Sequence, residues 1–285
     1  MTAAELLANP SVLLPSTFVL GLVVGSFLNV VIARLPVMLE RQWKSDCQEF
    51  LELARDAGAD EKFNLIVPRS RCPQCGHRIS ALENVPLLSY LALRGRCSSC
   101  ATRIPAQYPL VELSTGILSA VIVWRFGFTL PAAAALVFTW SLVALTVIDL
   151  QHQLLPDAIV FPLLWLGLLL SPLEAFSDPV SSITGAAAGY LALWSVYWAF
   201  KLTTGKEGMG YGDFKLLAAI GAWAGWQILP VVVLIASATG ALVGLALIAL
   251  GRHKRGTPIP FGPYLAAGGW FGLLWGADLN LLYLG

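Results

Sequence analysis

Four of the five cysteines fall into two pairs of identical spacing, Cys72-x2-Cys75 and Cys97-x2-Cys100, with 21 residues between the pairs. Each pair opens a related phrase: Cys72-Pro-Gln-Cys-Gly-His-Arg-Ile returns 25 positions later as Cys97-Ser-Ser-Cys-Ala-Thr-Arg-Ile. Two such knuckles offer four thiolates, the donor set of a closed, tetrahedral, structural zinc site with no open position for water. Two disulfides or a redox CxxC are the competing readings. A reducing compartment argues against the disulfides, and redox motifs rarely come as a duplicated ribbon. His77, beside the first knuckle, reads as a surface neighbour of the site. The fifth cysteine, Cys47, reads as a small buried hydrophobe.

The second chemistry belongs to carboxylates. Glu112, Asp149, Asp157, Asp213 and Asp278 lie in or at the edges of long apolar stretches, where an acid is costly and therefore a candidate for function. Asp149 closes one stretch in Thr146-Val-Ile-Asp-Leu150, and Asp213 opens another in Gly208-Met-Gly-Tyr-Gly-Asp213. They share a depth although 64 residues apart. Two facing carboxylates tend to share one proton. The ionised member can then activate water while the protonated one hydrogen-bonds a scissile carbonyl, which suits peptide hydrolysis. A proton- or cation-coupled transporter would use such a pair as well, but no repeat relates the halves of the chain. A scaffold built on a zinc ribbon is a further reading. Asp157, after Pro156, suits a helix start, and Lys215 suits snorkelling to the interface. Glu112 could pair with a basic group or meet substrate, and Asp278 reads as a solvated terminus. Asn29, polar within an apolar stretch, serves helix packing or a contact to a ligand. No G-x-G-x-x-G, P-loop, H-E-x-x-H or G-x-S-x-G element occurs.

The elements that position these groups follow from composition. Of the 285 residues 57% are hydrophobic and 12% charged, with a mean hydropathy of +0.72. That excludes a soluble globular enzyme, a coiled coil and a disordered chain. A net charge of +1 implies no nucleic-acid partner. Positions 34–105 hold 19 of the 35 charges, so one polar insert interrupts an otherwise apolar chain. The 28 uncharged residues between Glu5 and Arg34 make a retained first span over 12–34, since the basic region of a cleavable signal is missing. Further spans are expected near 106–125, 130–148, 157–172, 180–200, 213–227, 229–250 and 260–283. The division is thus 1–34, a first span; 35–105, a cytoplasmic insert with an amphipathic helix and the cysteine module; and 106–285, a seven-span domain. The amphipathic helix is expected over 38–57, with Trp43, Cys47, Phe50, Leu51 and Ala54 as its apolar stripe and Gly58 as its stop. The fold class is an all-α polytopic membrane protein of about eight transmembrane helices with a small zinc-ribbon-like insert. With eight spans, 17 of the 18 basic residues fall at or beside loops of one side, which the positive-inside rule makes cytoplasmic.

Taken together, Gly25-Ser-Phe-Leu-Asn-Val-Val-Ile-Ala-Arg-Leu-Pro36, the two knuckles, Asp149 followed by Leu155-Pro-Asp157, Gly208-Met-Gly-Tyr-Gly-Asp213 and Pro258-Ile-Pro-Phe-Gly-Pro263 resemble the bacterial type IV prepilin peptidases. These are bifunctional leader peptidases and N-methyltransferases, and the likeness covers nearly the whole chain. It implies a GxGD intramembrane aspartyl protease of the bacterial inner membrane, with Asp149 and Asp213 as the catalytic pair. It also implies type IV prepilins and type II secretion pseudopilins as substrates, cut after glycine at the cytoplasmic face. The new N-terminal residue is then methylated from S-adenosylmethionine. No methyl-donor site is legible in the residues themselves. The insert and Gly25–Pro36 are where one would be sought, and Pro258–Pro263 could form a rigid turn near the acid pair.

Overall fold

A computed structural model describes residues 9–53, 62–251 and 259–284. Among them the regular structure is helical, and the only β pairing is two isolated bridges. The chain divides into two compact units, Met1–Phe128 and Thr129–Gly285.

The first unit is built on α1 (Pro10–Phe50), the short α2 (Leu88–Ala92) and α3 (Gln107–Phe126). Asn9 starts α1 by accepting the Ser11 N–H at 3.0 Å, with Pro10 at the first helical position. Small residues let α1 and α3 pack backbone to backbone. A Cβ on Gly21 would sit 2.7 Å from Ser119 Oγ and 2.8 Å from the Gly116 Cα, and one on Gly25 would sit 2.7 Å from the Glu112 Cα. Apolar helices in lipid associate through such close approach, having no hydrophobic gain to draw on.

The expected break after position 34 does not occur. One helix of 41 residues runs through Pro36, because an interior proline removes a single backbone hydrogen bond, and the flanking turns keep the rest. The separate amphipathic helix over 38–57 is therefore the end of α1, which stops at Phe50 with Glu52 at φ 53°. Ala54 and Gly58 lie outside the described residues. Cys47, expected to be buried, is exposed, as are Trp43, Phe50 and Leu51. The stripe is thus a solvent-facing one in this helix.

The second unit holds α4 (Leu130–His152), α5 (Asp157–Leu170), α6 (Pro179–Thr204), α7 (Tyr211–Ala224), α8 (Leu229–Ala249) and α9 (Gly262–Leu284). These match the expected spans to within four residues. Gly225 at φ 81° and a 3-10 turn over Trp226–Ile228 separate α7 from α8. The axis of the unit is α7, buried from Asp213 to Trp223 but for Lys215. It packs on α5, α6 and α9. Gly185 of α6 and Gly221 of α7 face each other so closely that a Cβ on either would overlap the other's carbonyl oxygen. Side chains then tie the helices through backbone acceptors. Trp223 Nε1 donates to Leu163 O at 2.8 Å, and Ser182 Oγ donates to Ala222 O at 2.5 Å. Burying these donors without an acceptor would be costly, so the bonds fix helix rotation as well as distance.

Among the described residues, four helical stretches are long and apolar enough to cross a membrane: Pro10–Phe50, Gln107–Phe126, Leu130–His152 and Trp226–Ala249. At 14 residues each, α5 and α7 rise about 21 Å, short of a hydrocarbon core of about 30 Å.

Candidate active site and metal centre

The second unit brings Asp149 and Asp213 to one place. Asp149 lies in the last turn of α4 and Asp213 in the first turn of α7, and they are 5% and 7% exposed. Asp149 Oδ2 accepts the N–H of Gly262, the first residue of α9, at 3.0 Å. Only glycine fits there, since a Cβ would stand 2.6 Å from that same oxygen. Leu155 fills the space between the two loops, 2.9 Å from a Cβ on Gly212 and 3.2 Å from one on Gly262. Neither carboxylate has a basic partner among the described residues. Lys215 is held elsewhere, with Nζ 2.8 Å from both oxygens of Asp157. Asp157 thus bridges α5 to α7 instead of capping its own helix, and Lys215 is paired instead of snorkelling. An ion pair across two helices satisfies both charges where a lone cap or an extended lysine would satisfy one.

Three supports of this site have different origins. The Gly262 N–H lies within Pro258–Pro263, the segment expected near the acid pair, although its backbone bond to Asp149 was not foreseen and Pro258 is outside the described residues. Leu155 is an apolar residue with no periodic signature. The third support precedes Asp213. The buried Tyr197 hydroxyl donates to Glu207 Oε1 at 3.2 Å, and Lys201 Nζ donates to the same oxygen at 2.8 Å. The Tyr211 ring packs on that of Tyr197 with centroids 5.3 Å apart. The Gly208–Gly210 segment is thereby anchored on both sides.

In the first unit the four cysteines converge. The Sγ atoms of Cys72, Cys75, Cys97 and Cys100 lie within 4.8 Å of one another. Cys72 and Cys100 are 3.8 Å apart, and Cys75 and Cys97 are 4.0 Å apart. A tetrahedron with metal–sulfur bonds of about 2.3 Å has edges of about 3.8 Å, so the cluster could hold a metal ion. A disulfide would need about 2.05 Å, and all four thiols are free. The repeat is structural as well as textual. Cys72 N–H donates to His77 O and Gly76 N–H to Cys72 O at 2.9 and 3.0 Å; Cys97 N–H donates to Thr102 O and Ala101 N–H to Cys97 O at 2.8 and 3.0 Å. Each knuckle closes with one antiparallel bridge, Arg71 to Arg78 and Arg96 to Arg103. Hydrogen bonding to Thr102 pulls the Cys100 thiol down to about 6, while burial and the neighbouring thiols push the Cys75 thiol up to about 11. His77 is no ligand: its Nε2 faces Glu83 at 3.2 Å. Hydrogen bonds from Ser98 and Ser80 hold the Glu83 carboxyl down at about 2.

Glu112 and Asn29 meet where α1, α3 and the insert join. Glu112 Oε2 accepts the Leu87 N–H at 2.9 Å, with Leu87 at φ 57°, and Ser26 also bonds this carboxylate. Its partner in the insert is therefore a backbone amide, not a basic side chain. Asn29 Nδ2 donates to Tyr108 O at 3.0 Å, tying α1 to α3. That bond fixes the amide's orientation and leaves Oδ1 buried with no partner. An unmet acceptor of this kind costs about 1–3 kcal/mol. Asp278 is exposed.

Comparison with known proteins follows the same division. The family model described as "Bacterial Peptidase A24 N-terminal domain" matches residues 19–126, and that described as "Type IV leader peptidase family" matches residues 136–245. Three relatives carry the name prepilin leader peptidase/N-methyltransferase. The one from Stutzerimonas stutzeri is 56% identical over 100% of this chain and 98% of its own length. The one from Pseudomonas aeruginosa is 54% identical over 98% and 96%. The one from Aeromonas hydrophila is 56% identical over 94% and 92%. No solved structure matches. With such identity along almost the entire length, and both family models in order, the chain belongs to the type IV leader peptidase family.

Proposed function

We propose that the chain is a membrane-embedded aspartyl endopeptidase that removes the leader from type IV prepilins and then N-methylates the new N-terminal residue. The observation that carries the peptidase reading is the buried pair at the ends of α4 and α7, with no basic side chain among the described residues to neutralise either acid. One carboxylate, ionised, takes a proton from water as it attacks the scissile carbonyl. The other, protonated, donates a hydrogen bond to that carbonyl and then a proton to the leaving amine. The Gly262 N–H holds Asp149 Oδ2, and the glycines before Asp213 leave room for an extended peptide beside it. Relatives bearing the peptidase name support the substrate class, and the transporter reading has no comparable support. Type II secretion pseudopilins, which share the apolar helix behind a basic leader, fit the same site.

The four cysteines fit zinc best among metals, since four thiolates and a closed tetrahedron are its structural signature. The metal would hold the insert's two knuckles together and take no part in hydrolysis. S-adenosylmethionine supplies an electrophilic methyl group, and the unmet acceptor of Asn29 in the first unit suits a ligand that brings N–H donors. With eight spans, the insert and the acid pair lie on the cytoplasmic side of the inner membrane, where a prepilin leader emerges.

The test uses the purified chain in detergent, a purified prepilin and methyl-labelled S-adenosylmethionine. Wild type should cut after glycine and label the mature product. Asp149→Asn or Asp213→Asn should cut roughly a thousandfold or more slowly. Full activity in either variant would refute the dyad, and an unlabelled product would leave a peptidase alone.

A further inference from the structure

Positions 34–105 carry 19 of the 35 charges, yet 85–93 within them has none. This uncharged segment holds the short α2, whose two sides differ. Ser89, Tyr90 and Leu93 face inward and line a cavity between α1, α3 and the insert. Leu88 and Leu91, three apart and so on one side of the helix, are 66% and 70% exposed. Arg94 and Arg96 follow at once, both exposed and without an acidic partner among the described residues. Hydrogen bonds set the depth of the segment. The Leu87 N–H, immediately before α2, donates to Glu112 Oε2 at 2.9 Å, and Ser26 bonds the same carboxylate. Ser26 lies eight residues before Arg34, about 12 Å of helix rise into the apolar part of α1. Leu87 is thus fixed beside the spanning helices, on the apolar side of Arg34, instead of out among the charges. Near that level α1 and α3 themselves expose Phe27, Leu110 and Leu113, side chains that lipid tails solvate as well as leucine does.

We infer that the Leu88–Leu91 side of α2 is seated in the bilayer, at the boundary of acyl chains and headgroups, with Arg94 and Arg96 on the phosphates of anionic phospholipids. Bared leucines are unfavourable in water and favourable against hydrocarbon. Guanidinium forks match phosphate oxygens. The chain leaves α2 through two left-handed residues, Arg94 at φ 52° and Gly95 at φ 68°, so both arginines stay close behind the leucines. Charge selects the occupant of this face. Two unpaired cations beside the leucines repel a basic leader and repel the same cations on a second copy of the chain, whereas a negatively charged leaflet attracts them. Neither the acid pair nor methyl transfer is needed for this docking. It pins the link between the two knuckles to the membrane, so the cysteine cluster is held against the bilayer instead of swinging on its tethers.

The test uses the metal-loaded, full-length chain in nanodiscs of phosphatidylcholine, with or without phosphatidylglycerol. Benzoylphenylalanine in place of Leu88 or Leu91 should form lipid adducts on irradiation, as it should in place of the exposed Leu20 of α1. Hydrogen exchange in peptides covering 85–96 should be about tenfold slower in discs holding phosphatidylglycerol than in discs without it. Arg94→Gln with Arg96→Gln should abolish that difference. Leu88→Ser with Leu91→Ser should lose the protection in both discs, with metal content and unfolding midpoint as in wild type. Adducts from positions 88 and 91 to protein alone, whether a second copy or added prepilin, would overturn the docking. Wild-type protection in the folded leucine variant would overturn it too. Equal exchange in the two kinds of disc would overturn the pairing of arginines with anionic lipid. Cleavage and methyl transfer are assayed on the same discs. A wild-type chain that forms the lipid adducts but neither cuts nor methylates would refute the function proposed above and leave the docking standing.

Discussion

The two units build their chemical centres over very different lengths of chain. The cysteine cluster gathers residues no more than 28 positions apart, each knuckle shaped by its own backbone hydrogen bonds. The carboxylate pair joins positions 64 apart and is completed by an N–H 113 residues from Asp149. The first centre needs only its two hairpins, which could hold a metal ion between them. The second needs helices α4, α7 and α9 already packed. Ligand binding can therefore drive folding in the first, whereas in the second the packing must exist before the chemistry.

That contrast can be broken from either side. The largest effect comes from crossing the two centres. Asp149→Asn or Asp213→Asn should abolish cleavage to within about a thousandth of wild type while metal analysis finds the full complement. The pair Cys72→Ser and Cys97→Ser should lose the metal and open residues 62–105 to protease, with a far smaller loss of cleavage. Loss of metal in the aspartate variants, or equal loss of cleavage in the cysteine variants, would tie the centres together. Next in size is Gly262→Ala, whose methyl group would stand 2.6 Å from Asp149 Oδ2. A drop of about ten- to a hundredfold in cleavage is expected, since an error of 1 Å in a catalytic group can cost about that much. A smaller effect is expected at Glu112. Glu112→Ala leaves the half-buried Leu87 N–H without its acceptor and should destabilise the first unit by about 1–3 kcal/mol. Glu112→Gln, which still offers an oxygen, should cost less, and chemical denaturation would compare the two. Smallest is a reciprocal pair within the knuckles. Gly76 (φ 71°) and Ala101 (φ 56°) hold equivalent left-handed positions. Ala101→Gly should raise stability, and Gly76→Ala lower it, each by about 1 kcal/mol.

The same difference in chain length decided what could be read from sequence. A repeat 25 residues apart announces itself, and the cysteines converge as their spacing implied. The helices of the second unit were legible to within a few residues because apolar runs and Gly/Pro breaks are local signals. Asp149 and Asp213 stood out because acids are scarce in apolar chain. What acts on them did not. Leu155 and Gly262 matter through where α5 and α9 begin, and no periodicity encodes that. Asp157 looked like a cap because its partner Lys215 is 58 residues away. The unbroken α1 was hidden by Pro36, whose local preference the two flanking helical segments override. Cys47 was misjudged because a stripe shows which residues share a face, but not whether anything lies against it.

The interlocked glycines of α6 and α7 have a consequence for which bond is cut. With Gly185 and Gly221 seated against each other's carbonyls, one helix cannot slide along the other without backbone collision. Asp213 stands eight residues from Gly221 on the same helix, about 12 Å of rise. Its height relative to α6 is thereby fixed. A substrate helix held at its own level in the bilayer would then present the same peptide bond every time. The enzyme would select its cleavage point as a ruler does, by measuring from a stop.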